Sequence, residues 1–145
     1  MSGPSRPAPT RLKFDIASDF MKGRDVQQRI LEAVGAHAYH ENAVFAIKLA
    51  LDEAMINAIK HGNKLDPHKR VRIEANISPQ LAEIIIEDEG PGFDPASVPD
   101  PTLEENLEKT GGRGLLLILA YMTSAEWSNA GRRLRMTRVN ADEAK

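Results

Sequence analysis

The chain has 145 residues, 41% hydrophobic and 28% charged, which is enough for one globular domain with its own core and short of two. With 19 Lys and Arg against 21 Asp and Glu the formal net charge is −2, a balance that argues against a polyanionic partner such as nucleic acid. Cysteine is absent, which excludes disulfide frameworks, thiolate metal sites and cysteine nucleophiles and permits a reducing cytoplasm; no apolar run approaches the length of a bilayer span.

The opening MSGPSRPAPT has prolines where a signal peptide would be apolar. Residues 1–10 therefore read as a disordered leader, followed by a single domain over 11–140 and a tail at 141–145. RLKFDIAS alternates Leu12, Phe14 and Ile16 with Arg11, Lys13 and Asp15, the pattern of a half-buried strand at a sheet edge. From Ser18 to about Tyr39 the spacing of Phe20, Val26, Ile30, Leu31 and Val34 predicts a helix, interrupted by Gly23 and Gly35 and loosely bounded. His37 and His40 lie at its end as solvated histidines, since no carboxylate spacing turns them into a metal site. Glu41 or Asn42 opens a second helix, ENAVFAIKLALDEAMINAIKHGNK, that Gly62 and Asn63 stop as a C-terminal cap.

VRIEANI and LAEIIIED read as an antiparallel hairpin about the turn SPQ. A proline-rich acidic stretch, FDPASVPDPTLEENLEKT, follows; loops of that length are lids, binding loops or disordered segments. GGRGLLLILAYM is a glycine turn feeding a short apolar helix, and SAEWS with RRLRMTRV forms a last hairpin around NAG. The sum is an α+β chain: a two-layer α/β sandwich whose mixed, mostly antiparallel sheet is covered on one face by helices.

Three clusters carry chemistry. On the second helix Ile47, Leu51, Ala54, Met55 and Ala58 share an apolar face, and opposite them Glu53, Asn57 and Lys60 make a narrow polar stripe between Leu49 and Ile56. Either these are surface contacts or a carboxylate and an amide one turn apart face something polar in a cleft. On the strand IIIEDEGPGFDP, Asp88 has the parity of Ala82, Ile84 and Ile86, which favours an inward carboxylate bounding a pocket; the alternative is that it caps the following turn. Gly90 and Gly92 supply positive backbone dihedrals or let a flat ligand come close. Gly111 to Leu115, GGRGL, offers free N–H groups at a helix start that suit phosphate, or is a plain turn; without a following lysine and hydroxyl it is not a Walker loop.

The order of these boxes, E-x-x-x-N on a helix, D-x-G-x-G after a strand, a long loop, then G-x-G before a helix, resembles the Bergerat-fold ATP-binding domain of gyrase, ninety-kilodalton heat-shock chaperones, histidine kinases and mismatch-repair ATPases. LALDEAMINAIKHGNK, EDEGPGFDP and GGRGLLLI are most similar to the small anti-sigma factors that are also serine protein kinases, over roughly Leu12 to Val139. The resemblance implies that Asp88 accepts a hydrogen bond from the exocyclic amine of adenine, with Gly90 and Gly92 letting the base lie against the backbone. It implies Asn57 as a ligand of Mg²⁺, and Glu53 as general base or as the group that positions the incoming hydroxyl or water for attack on the γ-phosphate. Gly112, Arg113 and Gly114, with Leu115, become the phosphate grip, and residues 93–111, starting at Phe93, the ATP lid; Lys60 and His61 assist phosphate binding or helix packing.

Within 145 residues there is no room for the phosphoacceptor hairpin of a sensor kinase or the transducer domain of gyrase-like ATPases, so chemistry is expected on a separate protein. The expectation is a cytoplasmic anti-sigma regulatory kinase that holds a sigma factor and, with Mg·ATP, phosphorylates a STAS-type anti-sigma-factor antagonist; family habit adds a homodimer. Its alternatives are a module in which nucleotide orders the lid without phosphoryl transfer, and a domain that binds no nucleotide.

Overall fold

A computed structural model of the chain describes residues 8–93 and 113–143. The expected lid beyond Phe93, Gly112 of the expected phosphate grip, leader residues 1–7 and tail residues 144–145 lie outside them. The elements run β1 (Thr10–Ala17), α1 (Phe20–Ala36), α2 (Glu41–Ile56), a widened turn (Asn57–Gly62), β2 (Arg70–Ile77), β3 (Leu81–Glu87), α3 (Arg113–Tyr121), β4 (Ser124–Ser128) and β5 (Arg133–Val139).

The strands form one sheet in the order β1-β2-β3-β5-β4, with β1 on an edge as its alternation implied. All four pairings are antiparallel, so the sheet is not mixed. Two helices between β1 and β2 bring the chain back in the opposite direction, and β4, which runs parallel to β3, is separated from it by β5. One face carries Ile73 and Ala75 of β2, Ala82, Ile84 and Ile86 of β3 and Met136 of β5, all buried under Ile30 and Val34 of α1, Ile47, Leu51 and Met55 of α2 and Ile118 of α3. The other face is an alternating-charge surface in which Glu83 accepts from Asn76 and pairs with Arg135 at 2.6 Å. Those two partners hold the Glu83 carboxyl below its ordinary range.

Local chemistry sets the helix limits. Asp19 caps α1, one residue past the expected start at Ser18: its Oδ1 accepts from the Met21 N–H at 2.8 Å and from the Lys22 N–H at 3.4 Å. Gly23 does not loosen the helix. It is the crossing point of α1 over α2, where a Cβ would meet Met55 and Ile59. His37 is buried rather than solvated, because β1 runs past the end of α1 and places Thr10 Oγ1 3.1 Å from Nε2. His40 stays exposed beside Asp142, 3.4 Å away.

The second helix does not end in a glycine cap. It widens after Ile56 into a π-type turn, the Asn63 N–H donating five residues back to the Ala58 carbonyl at 2.9 Å, and Gly62 keeps a negative φ while Lys64 and Leu65 take φ of 54° and 60°.

Candidate functional site: a cavity between the widened turn and the end of strand three

The widened turn changes which residues share a face. A turn closed five residues back takes roughly four to five residues per revolution instead of about 3.6, so His61 and Gly62, and not Lys60, come round beneath Asn57. Asn57, His61 and Gly62 accordingly line one wall of a cavity of ≈ 300 Å³. Lys60 lies on another groove with Phe20, Arg24 and Asp52, so the stripe read along the helix is split.

The opposite wall comes from the end of β3. Asp88 continues the inward parity of Ile84 and Ile86, is 8% exposed, and lines the cavity. Both readings of this residue hold at once. Its Oδ1 caps the turn by accepting from the Gly90 N–H at 2.8 Å, while no donor among the described residues is bonded to Oδ2. Burial pushes the Asp88 carboxyl above its ordinary range, and the Gly90 N–H and the Arg132 guanidinium oppose that shift.

Gly62, a helix stop by its sequence context, here decides where this carboxylate sits. A Cβ at Gly62 would fall 2.6 Å from both Cγ and Oδ2 of Asp88, so the acid lies flat against the glycine backbone. Gly90 does not line the cavity. Its lack of a side chain lets the loop pack on the Gly62 carbonyl, where a Cβ would collide with main-chain atoms.

Pro91, Gly92 and Phe93 complete the near rim, and Gly131 of the β4–β5 turn faces them. Gly92 and Gly131 have φ of 80° and 85°, and a side chain on Gly92 would strike the Ala130 carbonyl oxygen. That contact is the hydrogen bond from the Phe93 N–H to Ala130 at 2.8 Å, and the Phe93 ring is held edge-on to Trp127 with centroids 6.0 Å apart. Arg132 clamps the same loop, donating through Nε to the Gly90 carbonyl at 2.7 Å and through Nη2 to Pro91 at 3.2 Å.

The third wall is the start of α3, where Leu115 lines the cavity and Arg113 begins the helix. Glu53, half-buried on α2, does not line the cavity but stands at its edge, where a Cβ on Gly114 would overlap Glu53 Oε2. The structure thus brings Asn57, His61, Asp88, Gly92, Phe93 and Leu115 to one cavity, with Glu53 and Gly114 packed together beside it. The roles of Gly62, Pro91, Gly131 and Arg132 at the cavity are not legible in the sequence, because they act through backbone atoms or from turns that no side-chain pattern marks.

The donor set fits a purine base and a phosphate chain. A buried acceptor selects an amine donor, backbone glycines admit a flat ring, and a nine-residue helix starts at the far side. For Mg²⁺ the described residues hold no cluster of three or more His, Asp and Glu. Asn57 by itself fits an ion whose remaining ligands are phosphate oxygens and waters, magnesium's usual manner beside a nucleotide.

A fold of three helices on an antiparallel sheet, with an acid at a strand end facing an asparagine on a helix, defines the class. The model of the histidine kinase-like ATPase domain matches residues 20–138, and the chain belongs to that family. Among individual proteins, it is 39% identical over 83 residues to the anti-sigma F factor of Oceanobacillus iheyensis, covering 55% of this chain and 56% of that one. The anti-sigma F factor of Shouchella clausii is 41% identical over 68 residues, with 45% and 47% covered, and that of Clostridium perfringens 39% over 83, with 55% and 59%. The chain spans about half the length of the curated relatives it matches. Among the described residues no helix is long and apolar enough to cross a membrane.

Proposed function

We propose that the protein is an ATP-dependent anti-sigma regulator with serine-protein kinase activity, acting in the cytoplasm on a STAS-type antagonist of the sigma factor it holds. The observation that carries the reading is the Asp88 carboxylate, buried at the cavity wall with Oδ1 bonded to the turn and Oδ2 bonded to no donor among the described residues. Support for the regulatory half comes from the relatives, which are named anti-sigma F factors.

In this reading Asp88 accepts from the exocyclic amine of adenine, which selects ATP over GTP, and Gly92 lets the base lie on the loop. Asn57 ligates Mg²⁺, which when bound neutralises charge on the phosphates. The N–H groups at the start of α3, with Arg113, hold phosphate oxygens. Glu53 takes the proton of the incoming serine hydroxyl as its oxygen bonds to the γ-phosphorus; the bond to the β,γ-bridging oxygen breaks and ADP leaves. Phosphate on the antagonist then disfavours its complex through added charge and desolvation, and the partners exchange.

The test is transfer of labelled γ-phosphate from Mg·ATP to a small antagonist protein, with loss expected in Glu53→Ala and, at limiting ATP, in Asp88→Asn. Unchanged transfer in Glu53→Ala removes that residue from the mechanism. Nucleotide binding with no phosphoprotein for any antagonist leaves a module that ATP shapes without phosphoryl transfer.

A further inference from the structure

The loop that carries Asp88 is held from below by a side chain that the proposed chemistry does not use. Asn63 follows the widened turn and is 0% exposed. Its Nδ2 donates to Ser18 Oγ and to the Arg70 carbonyl, each at 2.9 Å, and its Oδ1 accepts from the Glu89 N–H at 2.8 Å. The orientation of this amide follows from its partners, because the Arg70 carbonyl can only accept and the Glu89 N–H can only donate. Ser18 passes the chain of bonds on, donating to the Lys69 carbonyl at 2.8 Å. One carboxamide thus ties together the end of β1, the start of β2, the widened turn and the residue after Asp88.

The bond to Glu89 has a specific geometric effect. The peptide before the Asp88 Cα is pinned by the Asp88 N–H, which donates to the Arg132 carbonyl at 3.0 Å. The peptide after it is pinned by the Glu89 N–H on Asn63. With both flanking peptides fixed, φ and ψ of Asp88 are fixed, and so is the direction of its Cα–Cβ bond, from which χ1 and χ2 swing the carboxylate onto Gly90 and against Gly62. Removing Asn63 frees the second peptide and with it the base from which the carboxylate is aimed, leaving its own bond to Gly90 and its contact with Gly62.

We infer that Asn63 is a positioning residue for base recognition: it aims the Asp88 carboxylate at the ligand without touching the ligand. The inference rests on the nucleotide reading above, and it predicts a loss confined to the amine contact rather than a general weakening.

The experiment compares the affinity of the intact protein for ATP and for purine riboside triphosphate, which lacks the exocyclic amine. The wild type is expected to prefer ATP. Asn63→Ala is expected to weaken ATP by roughly tenfold or more and the analogue much less, so that the preference collapses, the scale of one charge-assisted hydrogen bond. Ser18→Ala, which leaves the Glu89 bond in place, is expected to keep the preference while lowering the melting temperature. Equal weakening of both nucleotides in Asn63→Ala, or an intact preference, overturns the inference while the nucleotide site stands. A wild type that binds neither nucleotide overturns the site reading and this inference together. If Asn63→Ala does not fold, amide hydrogen exchange on the wild type decides. Protection of the Glu89 N–H by about two orders of magnitude or more upholds the bond, and exchange at the rate of an unstructured chain overturns it.

Discussion

Burial raises the Asp88 carboxyl, so the ionised form that the proposed amine contact requires is held at a cost to folding. A group whose folded pKa lies above its unfolded value contributes stability that is fully present below the unfolded value, here 3.8, and lost as pH rises through the folded one. Asp88→Asn removes that loss, because its amide oxygen can still accept from Gly90. The variant should therefore melt no lower than wild type at neutral pH and lack the Asp88 part of the pH slope, while binding ATP at least roughly tenfold more weakly. Thermal melts between pH 3 and 7 beside a nucleotide titration check both parts. Gly62→Ala should weaken ATP as well but, unlike Asp88→Asn, should also destabilise: a Cβ pressed on the carboxylate costs about 1–3 kcal/mol in denaturant unfolding. Asp88 was legible in the sequence because strand parity is a side-chain pattern. Gly62 was not, because its contribution is the absence of a side chain beside a residue distant in sequence.

Among elements, α1 begins at an N-cap whose side-chain hydrogen bonds, among the described residues, go to its own first turn. Asp19→Ala should cost about 1 kcal/mol in denaturant unfolding and leave nucleotide affinity unchanged. Ile84→Ala, by contrast, empties a fully buried position between the sheet and its helices and should cost about 2–5 kcal/mol. The helices and strands themselves were readable from apolar spacing at periods near 3.6 and 2. The widened turn after Ile56 was not, since periodicity reasoning assumes a constant 3.6; that one departure assigned Lys60 to the polar stripe and hid Gly62 and Asn63 from it. Buried His37 escaped for a related reason: what covers it is Thr10, 27 residues away, and no local pattern encodes that neighbour.

For the whole molecule, a ligand that binds only the folded chain stabilises it by mass action. Mg·ATP at about one hundred times its Kd should add roughly 2.7 kcal/mol, read as a rise in melting temperature that GTP does not reproduce. The layer architecture was legible because one face of every strand is apolar and the helices have matching stripes. The sheet's uniform antiparallel order was less so, since it depends on which strand β5 chooses as neighbour, and that is settled by packing across the core.

The pairing of β3 with β5 makes the cavity a seam. Asn57, His61, Asp88 and Phe93 belong to the stretch before residue 94, and Leu115 and Gly131 to the stretch after residue 112. A polypeptide nicked between those points would remain one particle through the β3–β5 ladder and the packing of α3 on α2, and any occupant of the cavity would weld the two pieces from within. The protein could then be read as a two-part reporter: the denaturant concentration that releases the C-terminal piece on gel filtration would rise as the cavity fills.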